Sequence, residues 1–561
     1  MIRAATLLIL ILLASNIYSM RTGGEAKCGR NRGREIADWT FMVYMDADNN
    51  LEELAMDDFK EMASVGSSDR VKIVVLLDRW RGNGREDYEG YGNWTDARIF
   101  IIDDRETPEG GNADEVWGEV DMGDPRTLVR FLNYCAEHYP AKHYALILWN
   151  HGFGYQGVCL DEDNGNTWLD LQELRDALLK ASRSGIHIDL VGFDACLMGT
   201  IEVVYSLRDY VNIVVFSQEY EPGYGWPYDS ILNALTNDPT MTSSTLASII
   251  VDEYINFYDS NPPPVGDKNA TLSAVNVSYV VKYTYAAINR VTGYLLRYFD
   301  TYESDIVYAV DNAEYFSYTW QKDLKHFLMI LRGEVSDTVL ISLLDEAISE
   351  IENAVIAYGH LSLHPNAYGL SAHISYLSYY ISYDYLDSSC HHQWDEFQRK
   401  LYGLSLGVWF YDIKFYGLDN DSDGAYETDL KVEVDLDAED SLDVYVKVYG
   451  YNGTKEELVG QSDTYTITGA SSSDVQNISI SVSSNATYTF RIEIWNATGL
   501  IKEFYYYCDD NITDVKLETH VPVADTEPPS IEVTSPENNT YHNTSTISIS
   551  WTYSDNVGVD H

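Results

Sequence analysis

Tyr144-Ala145-Leu146-Ile147-Leu148-Trp149-Asn150 runs straight into His151-Gly152, and Ile188-Asp189-Leu190-Val191-Gly192-Phe193 runs straight into Asp194-Ala195-Cys196-Leu197. Each is a near-continuous apolar run of strand length, the pattern of a strand covered on both faces in a parallel sheet. Open parallel sheets carry their chemistry just beyond the carboxyl ends of their strands. One strand delivers a histidine to that edge and the next delivers a cysteine. A base beside a thiol is the minimum constellation for nucleophilic thiolate chemistry.

Working outward, Trp39 to Met45, Val71 to Leu77 and Asn212 to Ser217 read as three further buried strands. Helical segments separate them. Asn50 and Glu53 have capping-box spacing, which predicts a helix through Met62. Asp124-Pro125 opens a second helix, with Leu128, Phe131, Leu132 and Cys135 at helical spacing. Helices over 170–182 and 200–210 complete a β-α-β-α alternation. That order predicts an α/β fold, an open, mainly parallel sheet with helices on both faces. Ala97 to Ile102 reads as a strand in a side hairpin. From Asp238 to about Asp395 the chain is mostly helical and rich in tyrosine. Strand-like pieces at Leu272–Val277 and Ala367–Tyr376 are expected to add edge strands to the same domain.

The ends differ in character. Residues 1–19 have the charge-then-apolar form of a secretory signal, and the run is shorter than the ~20 residues of a bilayer span. Residues 20–37 are basic and glycine-rich, a flexible leader or pro-segment, and 38–404 form the α/β domain. Near Ser405 the period becomes two, as in Leu430 to Asp435 and Leu442 to Val448, which predicts an antiparallel β-sandwich over 405–525. Thr526-Glu527-Pro528-Pro529 marks another boundary. Residues 526–561 read as the start of a truncated immunoglobulin-like domain, since such a fold needs ~100 residues.

Composition narrows the function. The chain has 561 residues, 45% of them hydrophobic, as in ordinary globular proteins. Its net charge of −51 argues against nucleic acid as a partner, because phosphate binding needs clustered Lys and Arg. Sequons at Asn452, Asn477, Asn485, Asn496, Asn511, Asn538 and Asn543 accord with an extracellular or cell-surface location, with the C-terminal β modules available for surface attachment. The six cysteines show no Cys-x-x-Cys pair, and Cys135, Cys159, Cys390 and Cys508 read as small buried apolar residues.

Among thirteen histidines, only His151 ends a predicted strand of the sheet that carries Cys196. Gly152 lets the backbone approach closely, and its N–H and that of Cys196 are the candidate oxyanion donors. No cofactor is expected for the chemistry. A structural calcium ion is expected at Asp419, Asp421 and Asp423, which stand at positions 1, 3 and 5 of a loop with Gly424 at 6. Leu430 occupies the position of the usual closing Glu, leaving Glu427 or Asp429 to close a shorter site. Asp46-Ala47-Asp48 reads as helix capping and sheet-end hydrogen bonding in preference to a metal site. His391-His392 beside Cys390 reads as a solvated loop in preference to zinc.

Residues 39 to about 235 resemble the clostripain family of cysteine peptidases, relatives of the caspases, gingipains and legumains. The resemblance is carried by the segment Phe41 to Leu51, by Leu148-Trp149-Asn150-His151-Gly152, by Gly192 to Met198, and by Ser217-Gln218-Glu219. It implies a caspase-like fold and a cysteine endopeptidase acting on protein or peptide substrates. It also implies His151 as general base and acid, Cys196 as nucleophile, and Gly152 and Cys196 as oxyanion donors. Asp194 would lie at the floor of the pocket for the residue before the cut, favouring Arg or Lys by charge-assisted hydrogen bonding. One departure stands out: the loop from Gly152 to Asn166 has no Lys or Arg for internal self-cleavage, so the leader arginines Arg30, Arg32 and Arg34 are the substitute sites. The rival readings are a surface-binding or adhesive protein with an inactive peptidase-like domain, and a thiol hydrolase of non-peptide amides. The pairing of His151 with Cys196 favours the peptidase.

Overall fold

The structure, a computed structural model, describes residues 36–554 apart from 83–90, 104–106, 262–264, 381, 384–385, 387, 390–391, 405–407, 419–427, 439–440, 452–454, 468–474, 482–485, 507–514, 518–529 and 536–549. The signal, nearly all of the leader, the Asp419–Asp423 loop and most of 526–561 therefore lie outside the described residues.

Among the described residues, nine strands form the central sheet: β1 (Ala37–Ala47), β2 (Val71–Arg79), β3 (Ala97–Ile101), β4 (Glu115–Gly118), β5 (Ala141–Trp149), β6 (Ile188–Asp194), β7 (Val211–Phe216), β8 (Thr271–Asn276) and β9 (Val355–His360). Across the sheet they run β9-β8-β7-β6-β5-β1-β2-β3-β4. The five strands from β7 to β2 are mutually parallel. The pairs at both edges are antiparallel. Side chains of β1 alternate between two cores, as the two-residue period of a strand requires. Trp39, Phe41, Val43 and Met45 pack with the helices Glu52–Val65, Tyr228–Asn237 and Ser243–Ser260. Met42 and Tyr44 face the opposite core, which holds Pro125–His138, Leu171–Arg183 and Ile201–Ser206. The chain is thus an α/β protein with a large, mainly parallel sheet clothed on both faces. Among the described residues, no helix is long and apolar enough to cross a membrane.

Local signals worked where a side chain could satisfy a helix end. Asp124 accepts the Arg126 N–H at 2.8 Å ahead of Pro125–His138. Asp170 and Glu173 form a complete capping box. The Asn50–Glu53 box does not form: the first helix begins at Glu52 with no side-chain cap, and Asn49 instead accepts the Leu51 N–H at 2.8 Å. The piece expected at Leu272–Val277 does join the main sheet, as Thr271–Asn276, but one strand in from the edge, paired with both β7 and β9. The piece within 367–376 does not: Ser371–His373 pairs with Gln321–Asp323 in a separate two-stranded sheet. The outer edge of the main sheet is β9, which follows directly on the helix Thr338–Ala354. Nor is His392 in a solvated loop, since its ring stacks on Tyr285 with centroids 4.1 Å apart.

Beyond the α/β region, strands Val408–Leu418, Thr428–Ala438 and Gln476–Ser479 make one antiparallel sheet. A second forms around Leu442–Tyr451 and Ala486–Asn496. Val432, Val434, Leu436, Val444, Val446, Val448, Ile492 and Ile494 are buried in one cluster with both sheets, the sandwich that period-two alternation implies. In the last segment, Ser530–Ser535 pairs antiparallel with Ser550–Ser554.

Candidate active site

The site is built where β1, β5 and β6 end. The last register pair between β5 and β6 joins Trp149 to Asp194. Pairing continues one step, the Asn150 N–H donating to the Asp194 carbonyl at 3.2 Å. His151 and Cys196 then leave the sheet from adjacent strand tips, which in a sheet lie about 4.8 Å apart. The structure places the two predicted residues just beyond the ends of neighbouring strands. Gly152 sits directly against the cysteine: a Cβ built on it would lie 2.3 Å from the Cys196 carbonyl oxygen and 3.1 Å from the Cys196 nitrogen. Only glycine fits there.

Leu197 turns the chain immediately after Cys196 with φ of +67°, a left-handed conformation that costs a non-glycine residue about 1–2 kcal/mol. Surrounding contacts hold it. Its N–H donates to the Glu219 carbonyl at 3.1 Å, its carbonyl accepts from Gln321 at 3.2 Å, and its side chain is buried with Phe316 and Ala367. The Glu221 N–H points at the Cys196 Sγ, 3.3 Å away. Segment 217–221 therefore backs the thiol. That segment is anchored by His364, which bridges Glu219 at 3.2 Å and Glu314 at 3.1 Å.

The imidazole of His151 has a partner that the sequence did not suggest. Its Nε2 lies 2.8 Å from the Asn50 Oδ1. An amide oxygen only accepts, so Nε2 carries the proton and Nδ1 keeps its lone pair in the neutral ring. Asn50 is available because it does not cap the helix. Behind it, Asn150 donates to the Asp46 carboxylate at 2.6 Å and to the Asp46 and Leu160 carbonyls at 2.7 and 3.0 Å. Burial holds His151 below the usual histidine range. It pushes the Cys196 thiol up to about 11, an effect that the Glu221 N–H opposes and the charges of Asp194 and Glu219 reinforce.

Asp194 is buried below the cysteine. It accepts from the Tyr228 hydroxyl at 2.8 Å and the Trp226 N–H at 3.3 Å. Three more carboxyls gather there: Glu221, bonded to the Trp226 indole at 3.1 Å, Asp58, bonded to the Trp149 indole at 2.7 Å, and Glu61, bonded to the Tyr228 N–H at 3.0 Å. Among the described residues, their hydrogen bonds come from these aromatic residues and from one between Glu221 and Asp194 themselves, and none comes from a Lys or Arg. Burial, then mutual repulsion, raises Asp58 and Glu221 well above the carboxylate range, and burial raises Asp194 as well. Gly225, at φ +56°, keeps this cluster approachable, since a Cβ there would lie 2.9 Å from Asp58 and 3.2 Å from Asp194 oxygens. Sequence reasoning found Asp194 and missed the rest, which come from a helix and a loop with no distinctive spacing. Asp419, Asp421 and Asp423 lie outside the described residues.

The fold and site define an α/β protein whose mainly parallel sheet presents a histidine and a cysteine just beyond neighbouring strand tips. The model of the clostripain family matches residues 43–409, and the chain belongs to that family. Clostripain of Hathewaya histolytica is 28% identical over 342 residues, covering 49% of this chain and 63% of the relative. The chain thus spans less than two thirds of that relative's length. Two solved structures are also similar. A secreted C11 cysteine protease from Bacteroides thetaiotaomicron, in complex with an irreversible peptide inhibitor, is 19% identical, with 65% of this chain and 99% of that one covered and a TM-score of 0.48. An inactive zymogen C11 protease from Parabacteroides distasonis is 18% identical, with 61% and 93% covered and a TM-score of 0.44.

Proposed function

We propose that this protein is an exported cysteine endopeptidase that cuts peptide bonds after Arg or Lys. The observation that carries the reading is the delivery of His151 and Cys196 to adjacent strand tips in a chain of the clostripain family. Cys196 attacks the substrate carbonyl as its proton passes to the Nδ1 of His151. Asn50, on the other ring nitrogen, holds the imidazole in the tautomer that can accept it. The N–H groups of Gly152 and Cys196 stabilise the tetrahedral oxyanion, and the close packing of Gly152 on Cys196 fixes their relative position. His151 then protonates the leaving amine, and water hydrolyses the thioester.

Specificity follows from the acids beneath the thiol. A guanidinium or ammonium reaching Asp194 and Glu221 supplies the positive charge that this buried, mutually repelling cluster of acids lacks among the described residues. Export rests on the signal-like residues 1–19, and the β-sandwich is the candidate surface-attachment module. Fluorogenic peptides ending in Arg, Lys, Ala or Leu test the reading. Cleavage of the basic pair, abolished by Cys196→Ala, supports it; equal cleavage of all four refutes the assigned specificity, and cleavage that survives Cys196→Ala refutes the nucleophile.

A further inference from the structure

The hairpin of Val158–Asp161 and Thr167–Leu169 is attached directly to the segment that carries His151. Gly152 pairs with Val158, and the Cys159 N–H donates to the His151 carbonyl at 3.2 Å. The Phe153 N–H donates to the Gly157 carbonyl at 3.0 Å, folding the intervening residues back on themselves. Beside Phe153 stands Trp168, with ring centroids 6.4 Å apart. Phe153 is half-buried and Trp168 is 46% exposed. The indole is nevertheless held, its Nε1 donating to the Gln156 carbonyl at 3.1 Å. Gly157 makes room for it: at φ +134°, a Cβ there would lie 2.3 Å from the Leu169 carbonyl oxygen and 2.7 Å from the Trp168 Cδ1. Trp168 is also one wall of a groove of about 650 Å³ at the starts of the helices Pro125–His138 and Leu171–Arg183.

A single apolar side chain at a surface is ordinary, whereas an aromatic pair fixed against the segment that carries the base calls for a reason. The course of the substrate supplies one. In the reaction proposed above, on which this inference rests, His151 protonates the leaving amine, so that amine lies at the imidazole. The half of the substrate before the cut belongs on the other side, where Asp194 and Glu221 lie below the thiol and segment 217–221 backs it. The half after the cut therefore departs over the loop that follows His151, where Phe153 and Trp168 offer an aromatic shelf. We propose that Phe153 and Trp168 form the subsite for a large apolar side chain in the first two residues after the cut. The groove beside Trp168 takes the chain that follows. Aromatic rings supply a large contact area and favour offset or edge-to-face partners. The Gln156 bond and the Gly157 contact already fix the indole, so little side-chain freedom is lost when a substrate binds.

Internally quenched peptides test the subsite. All share one sequence up to an Arg before the cut, and they carry Phe or Gly at the first or second position after it. Rates are expressed per active site by titration with a peptidyl-Arg electrophile, which has no residues beyond the cut. In the wild type, Phe at one of the two positions should raise kcat/KM about 10-fold over Gly, as befits partial burial of an aromatic ring. Trp168→Ala should bring that ratio to within about 2-fold of unity, whereas Trp168→Phe, which keeps a ring without the N–H, should retain most of it. A wild type with no preference at either position overturns the subsite, and so does a preference that survives intact in Trp168→Ala. If Trp168→Ala yields no titratable sites, Phe153→Ala is measured in its place, and the wild-type ratio decides the matter if neither folds. A wild type that takes up the electrophile but ignores the residues after the cut refutes the subsite alone. One that neither reacts with the electrophile nor cuts any peptide refutes the peptidase reading and the subsite with it.

Discussion

His364 offers the sharpest test of the network behind Cys196. Its two ring nitrogens lie 3.2 Å from Glu219 and 3.1 Å from Glu314, so only the imidazolium, with two N–H donors, satisfies both carboxylates. Burial alone would push its pKa down. The two carboxylates outweigh that and raise it from 6.5 to about 9. At about 1.4 kcal/mol per tenfold change in proton affinity, this linkage contributes at most about 3 kcal/mol, less where water screens the ring. Because the folded-state value is raised, the contribution is complete below about pH 6.5 and disappears as pH rises through about 9. His364→Gln keeps a donor but cannot carry the charge. Urea unfolding of wild type and variant at pH 6, 8 and 10 should show a deficit of about 2–3 kcal/mol at pH 6 that shrinks towards zero at pH 10. A deficit that is the same at all three pH values would show that the ring serves only as packing, and would refute the charged bridge.

Three further outcomes are expected. Gly152→Ala places a methyl group 2.3 Å from the Cys196 carbonyl oxygen, so the backbone must shift, costing about 1–3 kcal/mol of stability and about 100-fold in kcat/KM; unfolding and steady-state kinetics measure both, and an unchanged kcat/KM contradicts the packing. Asn50→Ala removes the acceptor from His151 Nε2 and should lower kcat about 10-fold with little change in KM, whereas an effect confined to KM would place Asn50 in substrate binding. Burial raises the Asp194 pKa above the usual carboxylate range, so its charge is lost on acidification earlier than for an exposed carboxylate. The KM for an Arg substrate should therefore rise as pH falls from roughly 7 to 5, and in Asp194→Asn that dependence should vanish as kcat/KM drops about 10–100-fold.

The parallel sheet was legible because its strands are buried on both faces, so Phe41 to Met45, Leu146 to Trp149 and Leu190 to Phe193 stand out as apolar runs. Strand-end position then exposed His151 and Cys196. Edge strands were harder: β9 is assigned by its partner β8, and its residues Val355 to His360 continue directly from a helix without a turn signal. Asn50 was misread because capping-box spacing is a local signal, while its real partner is 101 residues away. Asp58, Glu221 and His364 reach the site through the tertiary fold alone.

The central claim is that the Cys196 thiol and the His151 imidazole act as one unit. A peptidyl electrophile ending in Arg, read by intact mass and peptide mapping, tests it most directly. One adduct per chain is predicted, on Cys196 and not on the buried Cys135 or Cys159, with labelling more than about 100-fold slower in His151→Ala. Labelling of Cys196 at the same rate without the imidazole, or an adduct on another cysteine, would contradict it.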